Sequence, residues 1–173
     1  MPFQEDSVLK GVPTYWAFGL VAYSSMDGMV VFLFKSLSPW SRLDLSMKTY
    51  LYQHSVPFQD TDMAGVVHYT RILGYAELAE HAFLTKLGIP PISKSGGLPK
   101  VHVECDYQSP LRFADDVTIE LSLIEFSTRS IHWAFKITTN DKIAALGKFS
   151  TAYVGADGKP SEMPSHWQSL LGK

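Results

Sequence analysis

Residues Phe58 to Tyr69, read as Phe-Gln-Asp-Thr-Asp-Met-Ala-Gly-Val-Val-His-Tyr, join a strand-like run to the start of a long amphipathic helix. Two acids, Asp60 and Asp62, sit one residue apart; Ala64 and Gly65 then supply small residues for a turn, and a helical period begins near Tyr69. The first turn of a helix carries backbone N–H groups without intrahelical acceptors, and its dipole favours negative charge. A carboxylate placed just before it can face an electrophile whose oxygen those N–H groups hold. That arrangement suits attack on an activated carbonyl, with the acid as nucleophile or base. Both acids also fit as ordinary turn and cap residues. Of the two, Asp60 reads as the one that shapes the turn.

Outward from this stretch the periods are clear. Residues 49–58 (TYLYQHSVPF) have strand composition, and Pro57 closes the run. Ile72, Ala76, Ala79, Phe83 and Leu87 fall at steps of four and three, which predicts a helix over 69–87. Gly88, Pro90 and Pro91 stop it, and a polar stretch containing Gly96 and Gly97 follows. Val101, Val103, Cys105 and Tyr107 then alternate with polar residues, as do Val117, Ile119, Leu121 and Leu123, and Ile131, Trp133, Phe135 and Ile137. Asn140-Asp141 marks a hairpin turn, and a last strand runs from about Ile143 to Val154. One strand, one long helix and four antiparallel-type strands make an α+β fold, because the lone helix must bury its apolar face on the sheet.

The chain divides into residues 1–46, an N-terminal extension, residues 47–157, the globular domain, and residues 158–173, a C-terminal tail. Trp16 to Phe34 is an apolar run interrupted by Ser24, Ser25, Asp27 and Gly28. A central Asp costs about 2.5 to 3.5 kcal/mol on insertion scales, so the run makes a poor membrane span. It is a poor signal peptide too, since Glu5 and Asp6 precede it. The readings that remain are a partly ordered extension, a weak targeting or membrane segment, or a start assigned too far upstream, with Met47 as the alternative start. Contact with a membrane is not expected.

Composition narrows the class. A hydrophobic share of 46% against 18% charged describes a globular chain rather than a disordered one. A net charge of -2 and a pI near 6.3 argue against nucleic acid as the main partner. The single cysteine, Cys105, excludes an intrachain disulfide and fits a reducing compartment, so the expected location is cytoplasmic. As a lone thiol in an alternating strand it reads as a small buried hydrophobe. No spacing suggests a metal site, a phosphate loop or an internal repeat.

The succession of strand, Asp-Thr-Asp-x-x-Gly-Val-Val, long helix, Gly-Ile-Pro and the segment Asp106 to Asp115 (DYQSPLRFAD) resembles the hotdog-fold acyl-CoA thioesterases. The nearest type is the 4-hydroxybenzoyl-CoA thioesterase family with its Tol-Pal-associated relatives, and the likeness runs from about Lys48 to Val154. It implies a hotdog fold, an antiparallel sheet wrapped around one helix, and hydrolysis of an acyl-CoA with no cofactor beyond the substrate's own coenzyme A. It further implies Asp62 as the reacting carboxylate and the backbone N–H of Tyr69 as the group that polarises the thioester carbonyl. Gly65, Val66 and Val67 would border the substrate. Homodimers or homotetramers with sites at subunit interfaces are implied, the partner supplying pocket residues among His102, Asp106, Gln108 and Ser109.

Other residues are candidates with two readings each. Several family members carry Tyr-His where this chain has His68-Tyr69. The shift rotates the histidine by about 100° on a helix start, so no role is carried over. By itself His68 could tune Asp62 or hold a water, or simply pack at the helix cap. Glu77 is a second candidate carboxylate, and with His81 it forms an i, i+4 pair. Arg112, Arg71, Lys100, Arg129 and Lys148 could meet the phosphates of coenzyme A or be solvated charges, and Arg112 could instead be structural. Tyr75, Phe83, Trp133 and Phe135 could line an acyl pocket or be core. Rival functions on the same scaffold are acyl-CoA sensing without cleavage and hydration or dehydration of acyl thioesters.

Overall fold

A computed structural model describes residues 48–172; the N-terminal extension, its apolar run and the alternative start at Met47 lie outside the described residues. The chain enters as β1 (Thr49–Ser55), passes through a 3-10 turn (Phe58–Asp60) and forms α1 (Tyr69–Lys86). Two short strands follow, β2 (Ile92–Ser93) and β3 (Gly96–Gly97), then the four long ones. These are β4 (Lys100–Tyr107), β5 (Asp116–Phe126), β6 (Ser130–Thr139) and β7 (Lys142–Ala152). β8 (Val154–Gly155) and α2 (Ser165–Leu171) close the described chain.

The long strands build one antiparallel sheet in the order β1-β5-β6-β7-β4. The expected strand, helix and four strands are all present, with the helix lying on β1 and β5. This is the hotdog arrangement. The β6–β7 hairpin turns at Asn140 and Asp141, which take φ of 46° and 60°, the left-handed pair that a two-residue turn of this hand requires.

Alternation decides which face is buried. Val117, Ile119, Leu121, Ile131, Trp133, Phe135 and Ile137 point to the core, and the helix returns Ile72, Ala76, Ala79 and Phe83 as its period predicts. Phe83 stands edge-on to Trp133 at 5.7 Å and stacks on Tyr50 at 5.3 Å. Tyr75, Phe83, Trp133 and Phe135 are thus core residues. Gly147 lies under the ring of Phe135, where a side-chain carbon would strike that ring and the Glu104 carbonyl.

The helix ends as its sequence requires. Gly88 takes φ 81°, its N–H donates to Thr85 at 2.9 Å, and the N–H of Ile89 donates to Leu84 at 2.9 Å. That is the Schellman pattern, sealed by apolar contact at the helix end; Ile89 and Leu84 are both buried.

Two regions differ from expectation. Gly96 and Gly97 belong to a small sheet ordered β2-β3-β8, in place of a plain polar loop. Residues beyond 157, expected as a tail, carry α2, which buries Trp167 and Leu171 in the main core. Tyr153 meets Trp167 edge-on at 5.5 Å, and Lys48 Nζ donates to the Leu171 carbonyl at 2.7 Å. A helix of seven residues offers too few turns for periodicity to reveal it.

The helix also buries a charge. Glu80 is 1% exposed, and Lys100 Nζ at the start of β4 donates to its Oε2 at 2.8 Å and to Glu77 Oε1 at 2.7 Å. Lys100 sits 5.3 Å above the Phe149 ring. Burial pushes the Glu80 carboxyl above its usual range despite Lys100. The Lys100 hydrogen bond draws Glu77 the other way. For Lys100 itself burial disfavours the charge, but the two carboxylates outweigh it and hold the ammonium up.

Removing Lys100 leaves Glu80 buried without its partner. We expect Lys100→Met to cost about 2 to 3 kcal/mol, the low end for a broken buried pair because Lys100 keeps some contact with solvent. A raised carboxyl pKa means the folded state holds a proton that the unfolded state has lost, so acidification favours folding. The stability gap between parent and variant, measured by denaturant titration, should therefore narrow from pH 8 to pH 5. A gap that widens on acidification would contradict the role given to Glu80.

Candidate active site

The turn between β1 and α1 is assembled by its own backbone. The Asp62 N–H donates to Val66 at 2.9 Å, the Gly65 N–H returns to Asp62 at 2.9 Å, and a bridge pairs Thr61 with Val67. Gly65 takes φ 72°, a region that penalises any residue with a side-chain carbon. Arg112 Nη1 donates to the Gly65 carbonyl at 3.4 Å, and the Val67 N–H donates to Leu111 at 2.8 Å. The segment Asp106 to Asp115 is thereby tied to the turn. Arg112 acts as a clasp on it, the structural reading of that residue.

The two acids divide sharply. Asp62 is exposed; its Oδ1 accepts the Ala64 N–H at 2.8 Å, and its Oδ2 has no hydrogen-bond partner among the described residues. Asp60 is 8% exposed and turned inward, accepting the Tyr75 hydroxyl at 2.9 Å, with Arg71 Nε at 3.4 Å. Its carbonyl accepts the His68 N–H at 2.9 Å. Burial and the Asp60 carboxylate together hold the Tyr75 hydroxyl far above its usual pKa.

His68 is the N-cap residue of α1 and makes no side-chain cap bond. Its Nδ1 pairs with Thr70 Oγ1 at 2.8 Å, and its ring leans on Tyr69 at 4.5 Å. These contacts fit the packing reading of His68. Tyr69 opens the helix, so its N–H has no intrahelical acceptor. A cavity of about 280 Å³ starts beside it, floored by Val67, Ile72, Leu111 and Ala144 and walled by Tyr69, Tyr107, Gln108, Ser109 and Pro110. Tyr107 donates its hydroxyl to the Tyr69 carbonyl at 3.2 Å, and the two rings meet edge-on at 6.4 Å. Burial, helped by Cys105, pushes the Tyr107 hydroxyl up to about 12, so at neutral pH it is a hydrogen-bond donor.

Of the expected residues, Asp62, Gly65, Val66 and Val67 lie on this turn with Arg112 bound to it, and Tyr69 opens the helix that follows. Gln108 and Ser109, expected from a partner, line the cavity of their own protomer. Glu77 lies eight residues into the helix, about 12 Å of rise from Tyr69, and is engaged by Lys100 and, at 4.0 Å, by His81. Tyr107 escaped notice as a site residue. The signal available was its place at the end of an alternating strand, just before Gln-Ser-Pro.

The sequence profile of the thioesterase-like superfamily matches residues 56–171. A 1,4-dihydroxy-2-naphthoyl-CoA hydrolase from Synechococcus elongatus is 33% identical over 107 residues, covering 59% of this chain and 79% of that protein. The solved structure of a gentisyl-coenzyme A thioesterase superposes with a TM-score of 0.66 at 30% identity, over 70% of this chain and 99% of that one. A 4-hydroxybenzoyl-CoA thioesterase bound to 4-hydroxybenzoyl-CoA shares the fold, with a TM-score of 0.65 at 19% identity over 71% and 98% of the two chains.

Because Gly65 is the left-handed corner of the turn, Gly65→Ala should lower stability by about 1 to 2 kcal/mol. An unchanged denaturation midpoint would mean the corner does not need that conformation.

Proposed function

The chain belongs to the thioesterase-like superfamily and is a hydrolase of acyl-CoA thioesters; on that premise we propose that Asp62 and the Tyr69 N–H carry the reaction on a compact aromatic acyl group. The observation that carries this reading is an exposed carboxylate on the turn that leads into α1, followed by a helix-start residue, Tyr69, which lines a cavity and whose N–H has no intrahelical acceptor. The thioester carbonyl oxygen accepts from Tyr69 N–H, where the helix dipole stabilises the charge that develops on it. Asp62 attacks the carbonyl carbon or takes a proton from an attacking water. Either way the carbon–sulfur bond breaks, thiolate leaves and is protonated, and water supplies the hydroxyl of the free acid. No cofactor is required beyond the coenzyme A of the substrate.

The aromatic preference is supported by the cavity and by the relatives. A space of about 280 Å³ framed by Tyr69 and Tyr107 suits a ring better than a long flexible chain. The relatives named above act on dihydroxynaphthoyl and gentisyl thioesters, both hydroxylated rings. The location consistent with this substrate and with a single cysteine is the cytoplasm.

The same reading includes a dimer formed along β4. That strand is one of the two edges of the sheet, and Val101, Val103 and Tyr107 on it are 63%, 41% and 49% exposed. An edge with unpaired backbone groups and exposed apolar side chains is a template for a second copy. Pairing there would draw the partner toward Tyr107 and the cavity, and close the site from outside.

Thiol release from a panel of aromatic, short and long acyl-CoAs tests the activity. Asp62→Asn should reduce turnover by at least about a hundredfold, the scale for a positioned base or nucleophile. Near-normal turnover in that variant would remove Asp62 from the mechanism, and binding without release from any ester would favour a sensor. Sedimentation should show the parent as a dimer or tetramer and Val103→Asp as a smaller species. A parent that sediments as a monomer would sink the edge pairing.

A further inference from the structure

The reaction described above makes no use of Asp60, yet its carboxylate is the most deeply held group in the turn. It reaches α1 at three successive points. The carbonyl of Asp60 takes the N–H of His68 at the N-cap, Oδ1 faces Arg71 in the first turn at 3.4 Å, and Oδ2 takes the Tyr75 hydroxyl in the second turn at 2.9 Å. Tyr75 is itself 2% exposed, and its ring packs on His54 of β1 at 4.6 Å. The His54 Nε2 is buried with no hydrogen-bond partner among the described residues.

Closing the turn does not require this network. The Asp62 side chain already binds Ala64, Thr61 Oγ1 binds the Phe58 carbonyl at 2.7 Å, and the Thr61–Val67 bridge joins the two arms. A carboxylate drawn out of water loses hydration that only charged or hydrogen-bonding partners restore. Among the described residues, the side-chain partners of Asp60, Tyr75 and Arg71, both come from the helix. Its particular effect is therefore on the angle between turn and helix, and the two groups of the reaction sit on opposite sides of that angle.

We propose that Asp60 is a positioning residue, which sets the turn against α1 so that the Asp62 carboxylate and the Tyr69 N–H address the same carbonyl. The inference rests on the reading of Asp62 and Tyr69 given above. Tyr75 is the arm through which Asp60 acts, and Arg71 is its charge partner. Loosening this angle misaligns attack without removing any group that touches the substrate, so the loss falls on turnover rather than on binding.

The test compares Asp60→Asn, Tyr75→Phe, the double variant and Asp62→Asn in the full chain, with steady-state kinetics on the best acyl-CoA and thermal melting of each. Tyr75→Phe keeps the ring and loses only the hydroxyl, so it decides the matter even if Asp60→Asn does not fold. Expected are a fall in kcat of about tenfold or more with KM within about twofold in each single variant, at an assay temperature below both melting transitions. The double variant should be no slower than the worse single one, because the two residues act as one unit. Unchanged kcat in Tyr75→Phe, a loss confined to KM, or additive losses in the double variant would each overturn the positioning role. If Asp62→Asn is inactive while Tyr75→Phe is normal, the positioning role alone falls. If Asp62→Asn stays active, the underlying reading falls and the positioning role with it.

Discussion

One sheet face and one long helix must cover each other, and most of the molecule follows from that requirement. The helix has only Ile72, Tyr75, Ala76, Ala79, Phe83 and Leu84 with which to bury the inner face of the sheet. Its rotation about its own axis is thus set by packing. Its length is set as well: the Schellman turn at Gly88 fixes one end, and the Asp60 network with the His68 cap fixes the other. A helix held in rotation and at both ends can present its N-terminus at only one place. That place is beside Tyr107 and the end of β4, where the cavity opens.

Two acids one residue apart would share a face in an extended chain, but Asp60 ends a 3-10 turn and Asp62 opens the next turn, so the two face opposite ways. Asp60 turns in and Asp62 turns out. The buried one is stabilised by a tyrosine and an arginine, and the exposed one binds the turn through a single oxygen among the described residues. The spacing alone could not say which was which, since either acid can cap a turn; the burial of Asp60 depends on Tyr75 and Arg71, which lie 15 and 11 positions further along.

Much of this was legible in the sequence, for physical reasons that can be named. The helix at 69–86 and the long strands show because each spans enough turns or alternations for one face to declare itself apolar. The turn shows because Gly65 and the paired acids are chemically unusual together. What was hidden depends on contacts between distant residues. The seven residues of α2 are too few for a period, and their helix is held by Trp167 in the core and Lys48 from the far end of the domain. Glu80 reads as a surface acid on the helix, and its burial is offset by Lys100, which comes from β4. Tyr107 looks like another outward strand residue until the helix start is placed against it.

The connectivity of the sheet carries a kinetic consequence. β5, β6 and β7 follow one another through tight turns, so they can zip as a local meander with little loss of chain entropy. β1 must find β5, and β4 must find β7, across long intervening segments that contain the helix or the meander itself. The meander is the unit expected to form first, and the two outer strands are its late additions. The turn that carries Asp62 hangs from one of these late strands, and Tyr107 ends the other. Local openings that leave the central hairpins intact would start at the same edges. The proposed site is thus expected to be assembled last on the way in and surrendered first on the way out.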